Sequence, residues 1–170
     1  MELIAEILES EIIESSNELE SKKFNVRKSS RAVVVNSDGK IALLFVSNNN
    51  YHKLPGGGVE EGENLHAALK REIIEEVGSQ IDIMDEIGLV IEYRNKHELL
   101  QLSYSYFCKV VGEIGSPKYT NQELDSGFQL IWIGIEEAIL ILRNDRPNNY
   151  IAQFIQRRDL AILEKVREKM

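Results

Sequence analysis

Residues 54–79 read LPGGGVEEGENLHAALKREIIEEVGS, a run of three glycines leading into a helix loaded with carboxylates. Asn64 is placed to cap a helix that continues to Val77, and Gly78 is placed to stop it. Within that helix Glu72 and Glu76 are four residues apart and share one side. At about 100° per residue, that side also carries Leu65 and Leu69, so it is the one expected to pack inward, with Glu75 at its margin. A purely structural helix avoids this pattern. Carboxylates turned toward a core cost several kcal/mol unless neutralised, and two stacked on one side repel each other. A hard divalent cation resolves both costs, because magnesium takes oxygen ligands and keeps water and phosphate oxygens in its shell. Arg71 can hold one carboxylate by a forked contact. A solvated, glutamate-rich surface helix is an equally good reading of the helix alone. The glycines shift the balance, since Gly56-Gly57-Gly58 permits close approach of backbone to a ligand and can offer a carbonyl to a metal or amides to a phosphate.

Outward from this stretch, the chain alternates strand and helix patterns. Arg31–Val35 and Lys40–Ser47 read as a hairpin about the turn Asn36-Ser37-Asp38-Gly39. His52–Leu54 is a short strand stopped by Pro55. Residues 81–93 and 99–111 read as two long antiparallel strands around Arg94-Asn95-Lys96. Phe128–Ile133 is a further strand, and residues 135–142 and 149–168 are closing helices. Strands joined by hairpins and interleaved with helices predict an α/β class with a mixed sheet packed between helices. Residues 2–20 place Leu3, Ile4, Ile7, Leu8, Ile12 and Leu19 among glutamates at helical spacing. That predicts an N-terminal helical extension over residues 1–24, packed on the domain at 25–170 or on a partner subunit, as in a homodimer.

Composition narrows the partners. The 170 residues are 43% hydrophobic, enough for a real core, and carry a net charge of −8. A long nucleic acid would be repelled by that charge, whereas a small phosphorylated substrate can be bridged to an acidic site by a metal ion. The single cysteine, Cys108, lies in a strand pattern and reads as a buried apolar residue. With no second cysteine and with His52, His66 and His97 scattered, a structural zinc site is not expected. The acidic N-terminus is unlike a secretory signal, and no apolar stretch reaches membrane-spanning length. The expected setting is therefore cytoplasmic with no membrane contact.

The 54–79 stretch resembles the Nudix box, G-x5-E-x7-R-E-U-x-E-E-x-G-U, where U is aliphatic. Gly57, Glu63, Arg71, Glu72, Ile73, Glu75, Glu76 and Gly78 match at the required spacing. Ser79 departs from the pattern at its last, aliphatic position, which packs the helix end. The order of elements around the box is also similar to the family's α/β/α sandwich, while an N-terminal helix lies outside its usual minimum.

The resemblance implies magnesium-dependent hydrolysis of a nucleoside diphosphate linked to another group, with manganese as a substitute cation. Charge neutralisation and positioning then supply most of the catalysis. It implies metal ligation by Glu72 and Glu76, completed by Glu75 and by the Gly56 carbonyl, with Arg71 orienting Glu72 or Glu75. Glu63 is either a favourable charge at the helix N-terminus or a water-mediated metal contact. The general base comes from the box or from a downstream loop. Glu123, in the polar segment Tyr119–Glu123, is a candidate, and so is a plain solvated carboxylate at that position. Lys53, Arg31 and the Gly57-Gly58 backbone are candidate substrate contacts; the two side chains read equally as ordinary surface cations. Tyr93, Tyr104, Tyr106 and Trp132 are candidates for stacking on a base, against a more ordinary role in the core.

Among substrates, a nucleoside triphosphate, oxidised ones included, is favoured for a compact chain without longer subfamily motifs. Dinucleoside polyphosphates and nucleotide sugars are the alternatives within the enzyme class. The proline downstream of the box in many ADP-ribose hydrolases has no counterpart, since none occurs between Pro55 and Pro117. Tyr93 lies near where diadenosine-polyphosphate members often have a tyrosine. The other class is a nucleotide-sensing module that has lost its carboxylates, and here Glu72, Glu75 and Glu76 are all present.

Overall fold

The computed structural model describes residues 1–13 and 23–169. Among these residues eight strands form one mixed sheet. They are β1 (Leu3–Leu8), β2 (Asn25–Val35), β3 (Ile41–Val46), β4 (Tyr51–Lys53), β5 (Gly56–Gly58), β6 (Gln80–Arg94), β7 (Leu99–Val111) and β8 (Phe128–Ile133). The order is β1-β6-β7-β2-β3-β4, with β5 also on β2 and β8 also on β3. Among the described residues four α-helices complete the fold: α1 (Leu65–Val77), α2 (Asn121–Asp125), α3 (Ile135–Asn144) and α4 (Tyr150–Lys169).

The strand period of two sorts alternate residues into two cores. Ala32, Val34 and Ala42 pack with Tyr106 and Cys108 beneath Leu69, Ile73 and Val77 of α1. Val33, Ile41 and Leu43 point the other way and pack with Ala138, Leu142, Phe154 and Ile162 of α3 and α4. The result is the α/β/α sandwich expected from the sequence. Cys108 is fully buried, as its strand position suggested.

The N-terminal helix expected over residues 2–20 is corrected at residues 3–11. Leu3–Leu8 is a strand running parallel to β6, with Leu3 opposite Leu89 and Leu8 opposite Tyr93. A short 3-10 turn, Glu9–Glu11, follows it within the described residues. Leu19 lies outside the described residues. Over six residues, Leu3, Ile4, Ile7 and Leu8 fit a helical stripe and a strand about equally well. Pairing decides between them: the outer edge of β6 needs backbone partners, and Ile7 gains full burial in the α4-side core. Tyr150 Oη then donates to the buried Glu9 carboxylate at 2.5 Å, fastening the end of this segment to the start of α4.

The hairpin of β6 and β7 keeps register from Arg94 opposite Leu99 to Gln80 opposite Val111, with irregularities between Ile83 and Asp85 and between Glu86 and Gly88. β7 runs parallel to β2 from Asn25 opposite Leu99 to Val35 opposite Lys109. This central pair carries the site. Its polar residues Arg27, Ser29 and Arg31 stand level with Gln101, Ser103 and Ser105.

A candidate active site at the glycine strand and the carboxylate helix

The three glycines are a strand rather than a loop. Gly56, Gly57 and Gly58 pair antiparallel with Arg31, Ser30 and Ser29 of β2. Two of these positions require glycine for different reasons. At Gly56, φ is +125° and an added Cβ would lie 2.2 Å from the Ser30 carbonyl oxygen. At Gly57 an added Cβ would lie 2.1 Å from a carboxylate oxygen of Glu72. The strand therefore runs against α1 with no room between them. Gly57→Ala can be relieved by moving the flexible end of Glu72, whereas Gly56→Ala meets fixed backbone. Gly56→Ala is thus expected to lower thermal stability, and Gly57→Ala to lower activity with the melting temperature nearly unchanged. Melts and rate assays on the purified pair check the split, and equal loss of stability in both would remove it.

α1 is built as its sequence indicates. The Asn64 side chain accepts from Ala67 N at 2.9 Å, and Gly78 closes the helix in the left-handed region at φ +73°. Arg71 then ties the helix to the segment before it. Its Nε donates to Glu63 Oε1 at 2.8 Å, and Nη2 donates to Glu63 Oε2 and to the Gly58 carbonyl, each at 3.0 Å. Nη1 donates to Glu72 at 2.8 Å and makes a longer 3.5 Å contact with Glu75. The Arg71 hydrogen bond, helped by the Glu60 amide, holds the Glu63 carboxyl down at about 2. Arg71 is correspondingly held above the ordinary guanidinium range, first by Glu63.

Glu76 is 1% exposed, and its two oxygens accept from Lys53 Nζ at 2.7 Å and Gly56 N at 2.6 Å. Burial pushes its carboxyl above the usual range against the pull of Lys53, the Gly56 amide and Arg31. Glu75 is also raised, first by desolvation and then by the neighbouring Glu72 charge. Lys53, which the sequence offered to a phosphate, is occupied by Glu76 and lies over the Phe128 ring at 4.7 Å. Arg31 is 7% exposed, and burial, followed by Arg158, lowers its guanidinium to about 10, while Asp159, Glu76 and Glu72 act in the opposite direction.

Glu123 sits in a capping box at the start of α2. Its carboxylate accepts from Thr120 N at 2.7 Å and Thr120 Oγ1 at 2.9 Å. Its charge is felt at Glu75, and Lys118 N donates to the Glu75 carbonyl at 2.6 Å, so this segment lies beside the carboxylate helix. The tyrosines and tryptophan do not gather at the site. Tyr104, Tyr106 and Trp132 belong to the α1-side core, and Tyr93 donates to Glu6 at 3.0 Å.

The donor chemistry fits a hard divalent cation: only carboxylates are offered, and Glu72 lies in a cradle that a Cβ on Gly57 would fill. Among the described residues no three acidic, histidine or cysteine side chains already converge as a metal cluster. Here Glu72 is turned to Arg71 and Glu76 to Lys53, so a cation competes with these two side chains for its ligands.

Sequence reasoning missed a buried ion pair on α4. Arg158 Nε donates to Asp159 Oδ1 at 2.7 Å, and Asp159 Oδ2 accepts from Leu54 N at 2.8 Å, immediately before the glycine strand. A signal was present: Arg158 falls four residues from both Phe154 and Ile162, within the apolar stripe of the helix.

The family model described as NUDIX domain matches residues 26–154. The chain is 30% identical over 128 residues to "Nudix hydrolase 12, mitochondrial" of Arabidopsis thaliana, covering 69% of this chain and 60% of that protein. It is 26% identical over 138 residues to diphosphoinositol polyphosphate phosphohydrolase 2 of Rattus norvegicus, covering 79% of this chain and 72% of that protein. Among solved structures, a NUDIX hydrolase from Nitrosomonas europaea superposes with a TM-score of 0.65 at 18% identity, over 85% of this chain and 90% of that one. The MutT protein of Methanosarcina mazei Go1 gives 0.58 at 20% identity, over 88% and 99%. These structural likenesses speak to the fold.

Proposed function

Because this chain belongs to the Nudix family, we propose that it hydrolyses a diphosphate bond in a nucleoside diphosphate-linked substrate, preferentially a nucleoside triphosphate, oxidised ones included, to the monophosphate and pyrophosphate. The observation that carries this reading is the seating of Glu72 and Glu76 directly against Gly57 and Gly56, with Glu75 beside them on the same helix. A fully intact carboxylate set disfavours the non-catalytic sensing module.

Magnesium, or manganese in its place, would be held by Glu72, Glu75 and Glu76 with the Gly56 carbonyl, and would polarise phosphoryl oxygens and acidify a bound water. The remaining work falls to the chain itself. Arg71 fixes Glu72 in place through Nη1 while its other donors grip Glu63 and Gly58, so strand and helix are held as one unit. The Nε of Arg31 has no hydrogen-bond partner among the described residues, and the side chain lies within reach of the Glu72 and Glu76 charges, which suits a contact to a substrate phosphate. Lys53 acts by holding Glu76 and neutralising it before substrate arrives. Glu75 is the better placed proton acceptor. Its side chain is about one-third exposed and makes only the 3.5 Å contact with Arg71, whereas Glu123 is engaged by Thr120.

A panel of canonical and oxidised triphosphates, diadenosine polyphosphates and nucleotide sugars, with and without magnesium, tests the reading by product chromatography. Intact triphosphates beside consumed nucleotide sugars would replace the substrate while leaving the metal chemistry. Magnesium is also expected to raise the melting temperature, because it binds the folded carboxylates better than the unfolded chain. At a hundredfold excess over its dissociation constant, linkage supplies about 2.7 kcal/mol. No shift between millimolar magnesium and chelator at matched ionic strength would count against a metal site.

A further inference from the structure

We infer that the α4-side face of β2, β6 and β7 takes an additional phosphoryl group of the substrate, beyond the two phosphates of the scissile bond; this rests on the diphosphate-hydrolase reading above. The face is polar yet buried, except for Arg27, which is exposed at its outer end. Arg27 Nη1 donates to Gln101 Oε1 at 3.2 Å, Gln101 Nε2 donates to Ser29 Oγ at 3.0 Å, and Ser29 and Ser103 share a 3.1 Å hydroxyl contact. One residue pair further along stand Arg31 and Ser105, and on β6 Glu92 stands level with Gln101. Arg94 reaches Glu92 with Nη2 at 3.1 Å and lies over the Phe154 ring of α4 at 5.5 Å.

Satisfaction of these groups is one-sided. Six buried side-chain atoms among the described residues lack a hydrogen-bond partner, and three of them, Arg31 Nε, Arg94 Nε and Ser105 Oγ, line this one face. Each can donate, and the two guanidinium nitrogens can do nothing else. The carried charge is uneven too. Glu92 answers Arg94 and Asp159 answers Arg158, but Arg31 and Arg27 have no salt-bridge partner among the described residues. Buried donors without acceptors, beside the buried Arg31 and the exposed Arg27 at the outer end of the face, call for an oxygen-rich anion. A nucleobase is a poor match, because the strand aromatics Tyr104, Tyr106 and Trp132 pack on the opposite side of the sheet. The direction from the reaction site is also defined. The Arg27 Nη2 nitrogen lies 2.7 Å from where a Cβ on Gly58 would be, and Arg31 pairs with Gly56, so this face begins at the glycine strand. Substrates bearing a third phosphate should therefore be preferred over diphosphates whose attached group is a neutral sugar.

Titration calorimetry in chelator, with inorganic tripolyphosphate and pyrophosphate as probes, tests this without turnover. Tripolyphosphate is expected to bind at least about tenfold more tightly. Arg27→Gln should remove most of that preference, while Lys28→Gln, an equal change of charge at the next position, equally exposed but on the other face of β2, should keep it. Equal affinity for the two probes, or equal loss in both variants, overturns the inference and leaves the face to ordered water. In parallel, kcat/KM is compared for UTP and UDP-glucose with magnesium. Tripolyphosphate preference without turnover of any member of the nucleotide panel above sinks the hydrolase reading and leaves the anion site standing. Turnover that favours UDP-glucose overturns the anion site and leaves the hydrolase reading standing.

Discussion

Glu72→Gln is expected to cut turnover by at least about a hundredfold while the protein melts near its original temperature. The side chain ends against the Gly57 backbone and receives one hydrogen bond, from Arg71 at 2.8 Å. Glutamine keeps the shape and an acceptor for that bond, so packing survives. What is lost is the anionic oxygen for a hard cation. Arg71 retains Glu63 and Gly58 and does not become an unpaired charge. Glu76→Gln should differ in kind. Both Glu76 oxygens are used, and Lys53 and Arg31 depend on its charge. Activity should fall there too, but with a stability loss of about 1.5–3 kcal/mol from the weakened charged hydrogen bonds. Glu61→Gln, exposed and outside the matched spacing, is the control and should change neither quantity. Rate assays and thermal melts on the three variants separate these outcomes. A Glu72→Gln variant near wild-type activity would take the metal role away from this helix.

What the sequence revealed and what it hid divide along a physical line. Local signals were legible: Asn64 and Gly78 bound α1 where propensity puts them, and the long β6–β7 hairpin and α4 follow from periodicity. The spacing of Glu72, Glu75 and Glu76 likewise identified the side of α1 that faces the glycine strand. Elements decided by pairing were hidden. Leu3–Leu8 forms a strand because β6 offers an edge, and Gly56–Gly58 forms one because β2 does; neither stretch has a side-chain pattern that demands it. Partner choice was hidden as well. Lys53 looked like a surface cation until the fold set it 2.7 Å from Glu76, 23 residues away. The same holds for Ser103 and Ser105, whose alternation with Leu102, Tyr104 and Tyr106 suggests a solvated side. Here both serines are fully buried within the fold.

The largest stability effect is expected at Asp159. Asp159→Ala should cost about 3–5 kcal/mol, because it leaves Arg158 buried without its carboxylate. Arg158 is 1% exposed, so water cannot replace the lost partner without opening α4 from the sheet. The same change orphans the Leu54 amide, which donates to Asp159 Oδ2 at 2.8 Å. For a domain of this size that corresponds to a fall in melting temperature of about 6–20 °C. Asp159→Asn should lose less, since an amide oxygen can still accept from Leu54 even though the charge is gone. Function should follow stability only in part. Leu54 leads directly into Pro55 and the glycine strand, so a loosened amide there transmits motion to Gly56 and to its hydrogen bond with Glu76. Residual activity below the melting temperature should therefore drop more in Asp159→Ala than its folded fraction predicts. Scanning calorimetry beside rate measurements at a temperature where both variants are folded reads the two effects separately. Equal activity per folded molecule in wild type and variant would confine Asp159 to holding α4 on the sheet.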